Sequence, residues 1–320
     1  MVAEAVVLGN AGGARDSFGK ALVALMADFP NLVMVDAGAD AESTERFRGE
    51  FPERYLTFSN GQQNAIAAAG GLASVGLMPV VTSNAALCLR AVEQARQSLA
   101  FGARNVKIVA SHGGIGGGPD GAPVQALEDL AAFRSIPGMT VLSPADSAEM
   151  ALALRAMLAF DGPVYLRTHS GTSTRTYDEN SKFEIGTGEI VRNGTDVTII
   201  ACGVEVARAI EAATLLEEEE IDARVVNMAT IKPIDAKLLA RCADATGAIV
   251  TAEDHNVLGG LGGAVAEALA KTVPCPIEFV GVQDSFGTCG EPDELVERFA
   301  LGAVHIAAAA RRAIARKKPR

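Results

Sequence analysis

Short apolar runs and amphipathic helical stretches alternate along nearly the whole chain, and that alternation constrains the fold more than any other feature. Apolar runs at 32–37, 79–84, 106–111, 140–145 and 163–168 read as strands buried on both faces. The intervening stretches, 14–29, 61–76, 86–101, 124–135 and 147–159, read as the helical crossovers that parallel strands require. In the first helix Phe18, Leu22, Leu25, Met26 and Phe29 recur at helical spacing, and Pro30 stops it. Ser147 is placed as the N-cap of the helix at 147–159, with Glu149 in its first turn.

At residues 169–190 the pattern changes to a small, polar run, His169-Ser170-Gly171-Thr172-Ser173-Thr174-Arg175-Thr176, followed by a charged segment. It reads as a link. A second α/β unit follows, with strands at 196–202, 222–227, 247–252 and 276–281 and helices at 204–219, 235–243, 260–271, 292–300 and 302–316. A length of 320 residues suits two domains at roughly 100–200 residues each. The expected fold class is therefore α/β, with two doubly wound domains: a mostly parallel one over 1–175, a linker at 176–190, and a smaller one over 191–320.

Composition narrows the function. Hydrophobic residues make up 49% and aromatics only 5%, with no Trp, so Ala, Val, Leu and Ile must fill the cores. A net charge of −11 argues against nucleic acid or an anionic membrane as partner. No apolar run reaches the ~18 residues of a membrane span. Glu4 ahead of the first apolar run gives the N-terminus no basic start for a signal peptide. The five cysteines form no CxxC pair and read as reduced thiols of a cytoplasmic protein. The four histidines are too dispersed for a metal cluster, so no metal ligands are assigned. The glycine run 113–118 suits close approach to phosphate, or only unusual backbone angles. The run 259–263 lacks the strand–turn–helix context of a dinucleotide site.

Several segments together carry a family likeness. Arg54-Tyr55-Leu56-Thr57-Phe58-Ser59-Asn60-Gly61-Gln62-Gln63-Asn64 is followed by a small-residue run, 65–73. Asn105-Val106-Lys107-Ile108-Val109-Ala110-Ser111-His112 precedes Pro119-Asp120-Gly121 and Gln125-Ala126-Leu127-Glu128-Asp129. Ile136-Pro137-Gly138-Met139-Thr140-Val141 and Ser143-Pro144-Ala145-Asp146 come next. Later come Thr195-Asp196-Val197-Thr198-Ile199-Ile200-Ala201-Cys202-Gly203, Ile231-Lys232-Pro233-Ile234-Asp235 and Gly259-Gly260-Leu261-Gly262. Over nearly its whole length the chain resembles the C-terminal half of transketolases, a pyrimidine-binding domain followed by a C-terminal domain. The resemblance implies thiamine diphosphate with Mg²⁺ as cofactor. The family's Gly-Asp-Gly motif for diphosphate and metal is missing here. The resemblance thus implies a split transferase whose partner subunit carries that motif, the two forming a heterotetramer. Such an enzyme moves a ketol or acyl unit between small carbonyl compounds, here in a specialised biosynthetic pathway.

Position by position, the resemblance also shows departures. Gln62 stands where the family has the glutamate that activates the cofactor through its aminopyrimidine ring. An amide can donate an N–H to that ring nitrogen but cannot exchange a proton with it, and losing a positioned acid–base group costs ~10²–10⁴-fold. Asn84 and Leu87 replace two phenylalanines that stack around the ring, each stack being worth ~0.5–1.5 kcal/mol. Arg90, Ala91 and Gln94 keep their motif, which places Arg90 with the cofactor group. Gly38 replaces an aspartate, with Asp40 nearby. Val124 replaces a histidine that contacts sugar hydroxyls, and Ser170 an arginine suited to phosphate, although Arg167 of the same motif remains. His112 and Asp120 retain their types and face the substrate in the resemblance. Three readings stay open: an active subunit with a non-standard substrate, a non-catalytic assembly or regulatory subunit on the same fold, and a pocket that takes a different cofactor, which nothing in the sequence names.

Overall fold

The computed structural model describes residues 9–10, 14–39, 41–169, 174–177 and 181–317. Two α/β sheets form the framework. The first has seven strands in the order Thr230–Lys232, Thr140–Leu142, Val164–Arg167, Lys107–Ser111, Met78–Asn84, Leu32–Asp36, Tyr55–Thr57. All its pairings are parallel except that of Thr230–Lys232, which runs antiparallel to Thr140–Leu142. That strand comes from the second half of the sequence and ties the two halves together. The central strands are apolar and buried, as strands covered on both faces must be.

The second sheet has the order Ile277–Val282, Ile249–Asn256, Val197–Ala201, Ala223–Asn227, Glu189–Arg192, with the last strand antiparallel at the edge. In each sheet there is a pair of neighbouring parallel strands whose connections leave in opposite directions, the switch point at whose carboxyl ends ligands of α/β sheets bind. In the first sheet this point lies between Leu32–Asp36 and Met78–Asn84; in the second it lies between Val197–Ala201 and Ile249–Asn256. One apolar cluster runs from Val35 and Ile66 through Phe133 and Val141 to Ile231, Leu239 and Val265, so the halves share a core. The Phe133 and Tyr165 rings stack within it, centroids 4.0 Å apart.

Most expected elements are present, with instructive differences. The first helix spans Ala14–Leu25, and Phe18, Leu22, Leu25 and Met26 are buried. The N-cap of Ser147–Ala159 is Asp146, not Ser147. The Asp146 carboxylate accepts from Glu149 N at 2.8 Å, while Glu149 Oε2 accepts from Ala145 N at 2.6 Å, a reciprocal cap that Ser147 cannot make from inside the helix. The stretch expected as one helix over 86–101 is an α-turn at Ala85–Cys88, a 3₁₀ turn at Leu89–Ala91, a short Val92–Gln94 helix and a π-turn at Ala95–Ala100. Gly70 of the helix Gln62–Ser74 lies against the last of these; a Cβ there would meet the Ser98 carbonyl at 2.6 Å. Among the described residues, no helix is long and apolar enough to cross a membrane.

Candidate active site

Gln62 opens the helix Gln62–Ser74 beside the switch point of the first sheet. Its side chain reaches between the two strands that flank the crevice. Nε2 donates to Ala37 O at 2.8 Å and to Ser83 Oγ at 3.3 Å, and Ser83 Oγ donates to Ala37 O at 2.8 Å. Gln62 is 1% exposed, and its Oε1 has no hydrogen-bond partner. The donor that the resemblance would direct at a ring nitrogen is thus already engaged, and the acceptor is the unpaired end. Asp36 shapes the turn that presents Ala37: its carboxylate accepts from Gly38 N, Ala39 N and Tyr55 Oη, the last at 2.6 Å.

The neighbouring strand ends bring more of the expected residues to this crevice. Asn84 pairs with Ser111 in register, so His112 follows one residue beyond it. Ser111 Oγ donates to Ser83 O at 3.5 Å and lies 3.0 Å from His112 Nδ1. The Ser111 hydroxyl thus holds the His112 ring through Nδ1. His112 holds φ = 60°, a left-handed conformation, at the point where the chain leaves the strand. Asn84 is the N-cap of Ala85–Cys88: Oδ1 accepts from Ala86 N at 2.8 Å and Leu87 N at 3.4 Å. Its side-chain oxygen is therefore committed to the backbone. Leu87 is half-buried on that turn and Arg90 is exposed just beyond it.

Asp120 and Val124 lie on the excursion that follows His112. Asp120 is exposed, whereas Val124 packs its Cγ2 towards Gly117 and the turn Ala122–Val124 rests on Ala85–Cys88. Gln125 pins the excursion, its Nε2 donating to Thr288 O of the second domain at 2.9 Å. The loop carrying Thr288 also presents Phe286, 85% exposed. Ser170 and Asp40 lie outside the described residues.

Arg167 does not face this crevice. It is 1% exposed, pairs with the fully buried Asp129 at 3.2 Å and donates to Asp254 O. Asp129 also accepts from Tyr165 Oη at 2.7 Å. These groups, with His169, fill the switch point of the second sheet. Ile115 N donates to Asp254 Oδ1 at 3.0 Å. Burial, together with the Arg167 and Arg208 cations, holds the His169 imidazole well below its usual range and keeps it neutral. The switch point of the second sheet is thus closed by residues of the first domain. The glycine run serves this closure. A Cβ on Gly113 would fall 1.9 Å from Arg167 Nε, and one on Gly114, at φ +72°, 2.0 Å from Asp254 Oδ2. Gly114→Ala is expected to cost about 2–4 kcal/mol, from overpacking and a strained φ together, measured by urea unfolding. The run at 259–263 is equally internal: the Glu253 carboxylate accepts from Leu261 N at 2.7 Å and Gly262 N at 2.8 Å, occupying that helix N-terminus.

Two cavities, about 830 and 740 Å³, lie away from these residues, one lined by Cys275 and Arg316, the other by Arg134, Lys232 and Lys271. Other buried titratable groups govern stability. Burial pushes the Glu149 carboxyl up to about 8 and that of Glu205 up to about 7. Both acids bind protons more tightly folded than unfolded. The stability they contribute is complete below the ordinary carboxylate range and is lost as pH rises through about 7 to 8. Lys107, whose ammonium donates to Phe160 O and Gly162 O, is lowered by burial to about 7, so its contribution has the opposite sign and grows above that value. Glu149→Gln is expected to flatten the decline in unfolding free energy between about pH 5 and 8, followed by denaturant midpoints across that range.

Comparison with known proteins identifies two family domains. Residues 13–174 match the family model described as "Transketolase, pyrimidine binding domain", and residues 186–306 match "Transketolase, C-terminal domain". The chain is 40% identical to the 6-deoxy-6-sulfo-D-fructose transketolase subunit of Clostridium sp. (strain MSTE9), over 95% of each. It is also 40% identical to a putative transketolase C-terminal section of Methanocaldococcus jannaschii, over 92% of this chain and 94% of that protein. A solved structure titled "Split gene transketolase, inactive beta4 tetramer" superposes with a TM-score of 0.88 at 40% identity, covering 96% of this chain and 99% of that one. The chain belongs to the transketolase family and carries its pyrimidine-binding and C-terminal domains.

Proposed function

We propose that this chain is the C-terminal subunit of a two-component, thiamine diphosphate-dependent transferase that moves a ketol or acyl unit between carbonyl compounds. The observation that carries the proposal is the string Gln62–Ser83–Ser111–His112 across the switch point of the first sheet. It joins a buried, half-satisfied amide to the His112 imidazole. The residues fit a thiamine diphosphate ring: Gln62 Oε1 offers an unused acceptor, and Leu87 an apolar wall. Arg90 and Asn84 stand at the rim. When bound, the cofactor supplies the carbanion chemistry. His112 and Asp120 hold and orient the hydroxyls and carbonyl of the substrate, and the His112 imidazole accepts a proton there. Val124 and Ser170 remove polar contacts, which favours a substrate other than an ordinary sugar phosphate.

The diphosphate and Mg²⁺ fall to a partner subunit bearing the Gly-Asp-Gly motif. Self-association through the first domain is supported by Ala67 and Gly71, which are exposed on Gln62–Ser74, and by Val75, 76% exposed one turn further on. Close approach of a second helix needs such small residues. A second reading, a non-catalytic assembly subunit, is favoured by the inward-turned Gln62 amide. Ketol transfer from a panel of α-hydroxy ketones separates the two. Product that requires both chains, Mg²⁺ and thiamine diphosphate is the expected result. A complex that holds the cofactor yet transfers nothing from any donor would contradict the enzyme reading.

A further inference from the structure

We infer that Ser83 is a positioning residue that fixes the Gln62 amide with its oxygen free, so that the cofactor ring binds together with a proton. The inference rests on the proposed placement of Gln62 against a thiamine diphosphate ring. Ala37 O carries no proton, so the Gln62 atom 2.8 Å away must be Nε2. Ser83 Oγ spends its one proton on the same carbonyl and turns a lone pair to Nε2. The two amide protons thus have two acceptors. Reversing the amide would set Oε1 against Ala37 O, lone pair to lone pair, in a residue 1% exposed.

What remains is Oε1, buried and without a donor. Leaving such an atom unpaired is costly, and a ring nitrogen can satisfy it only when that nitrogen carries a proton. A carboxyl group at this position can bring the proton itself, but an amide cannot. The proton must then come from solvent with the ligand.

The titratable groups around the amide do not supply it. Asp36 is an acceptor for Tyr55 Oη and two backbone amides. Burial and the Asp36 hydrogen bond raise the Tyr55 phenol. Burial pushes the Cys88 thiol, beside Ser83, up to about 12. The His112 imidazole is separated from the amide by Ser111 and Ser83. Asp129, which raises Cys88 further, is held by Arg167 and Tyr165.

Linkage makes the consequence measurable: at about pH 8 binding should take up about one proton, and affinity should fall about tenfold per pH unit above the ring nitrogen's own pKa. The experiment is calorimetric titration of thiamine diphosphate with Mg²⁺ into the complex reconstituted with the partner subunit, in buffers of different ionisation enthalpy. Wild type is expected to show proton uptake. Ser83→Ala and Gln62→Glu should each reduce it by half or more, and Ser83→Thr should restore it. Differences between variants cancel the ionisation of the diphosphate itself. Binding heat that does not depend on the buffer would overturn the inference while leaving the proposed function standing; absence of any binding would overturn both. His112→Asn should keep the uptake, and its loss there would assign the proton to the imidazole and overturn the role of Ser83.

Discussion

Asp129→Ala is expected to cost about 3–5 kcal/mol of stability. Asp129 is fully buried, and its carboxylate is the counter-charge to an equally buried guanidinium, Arg167. It also receives the Tyr165 hydroxyl. Removing it leaves a buried cation with the Asp254 carbonyl and the field of the Asp254 carboxylate in place of a direct ion pair, and takes away the acceptor of the Tyr165 hydroxyl. The double variant Asp129→Leu, Arg167→Met should recover part of the loss, because desolvating a pair offsets much of its attraction. Denaturant midpoints of the single and double variants measure both effects. A loss below 1 kcal/mol for Asp129→Ala would mean that water reaches Arg167 at the closed switch point.

His112→Ala is expected to lower kcat by ~10²–10⁴-fold while the fold and assembly are kept. His112 leaves its strand at positive φ beside Asn84, with Nδ1 held by Ser111, so the imidazole is oriented from behind. It is only half-buried, so truncation removes little core. A kcat within threefold of wild type would remove His112 from the chemistry and favour the assembly reading.

The sequence made the alternation of strands and helices readable because strands buried on both faces are uninterrupted apolar runs, as at Leu32–Asp36 and Lys107–Ser111. It did not reveal the helix Ala41–Glu50. That helix is polar and, beyond residue 43, buries only Thr44 and Phe47, so it lacks an apolar stripe long enough to register. Nor did it reveal Thr230–Lys232 as a strand of the first sheet, since a short edge strand that crosses between units carries no local signal of its partner. In the candidate site, Gln62, Asn84 and His112 were proposed through the family resemblance, and they lie at the ends of neighbouring elements of the first sheet. Ser83 and Ser111 were quoted only as members of motifs. Their role as links depends on the register of parallel strands, which a one-dimensional pattern does not contain. Arg167 is the reverse case. It kept its motif position, yet its side chain turned to Asp129 and Asp254, whose partnership spans distant parts of the chain.

The crevice at Gln62 is proposed to be half of a thiamine diphosphate site. Titration of thiamine diphosphate with Mg²⁺ into the reconstituted two-subunit complex, followed by calorimetry, tests this most directly. Saturable binding that weakens when Gln62 is replaced by Leu, which removes the Oε1 acceptor, is the predicted result. A folded, assembled complex that binds no thiamine diphosphate, or binds it equally well with Leu at that position, would contradict it.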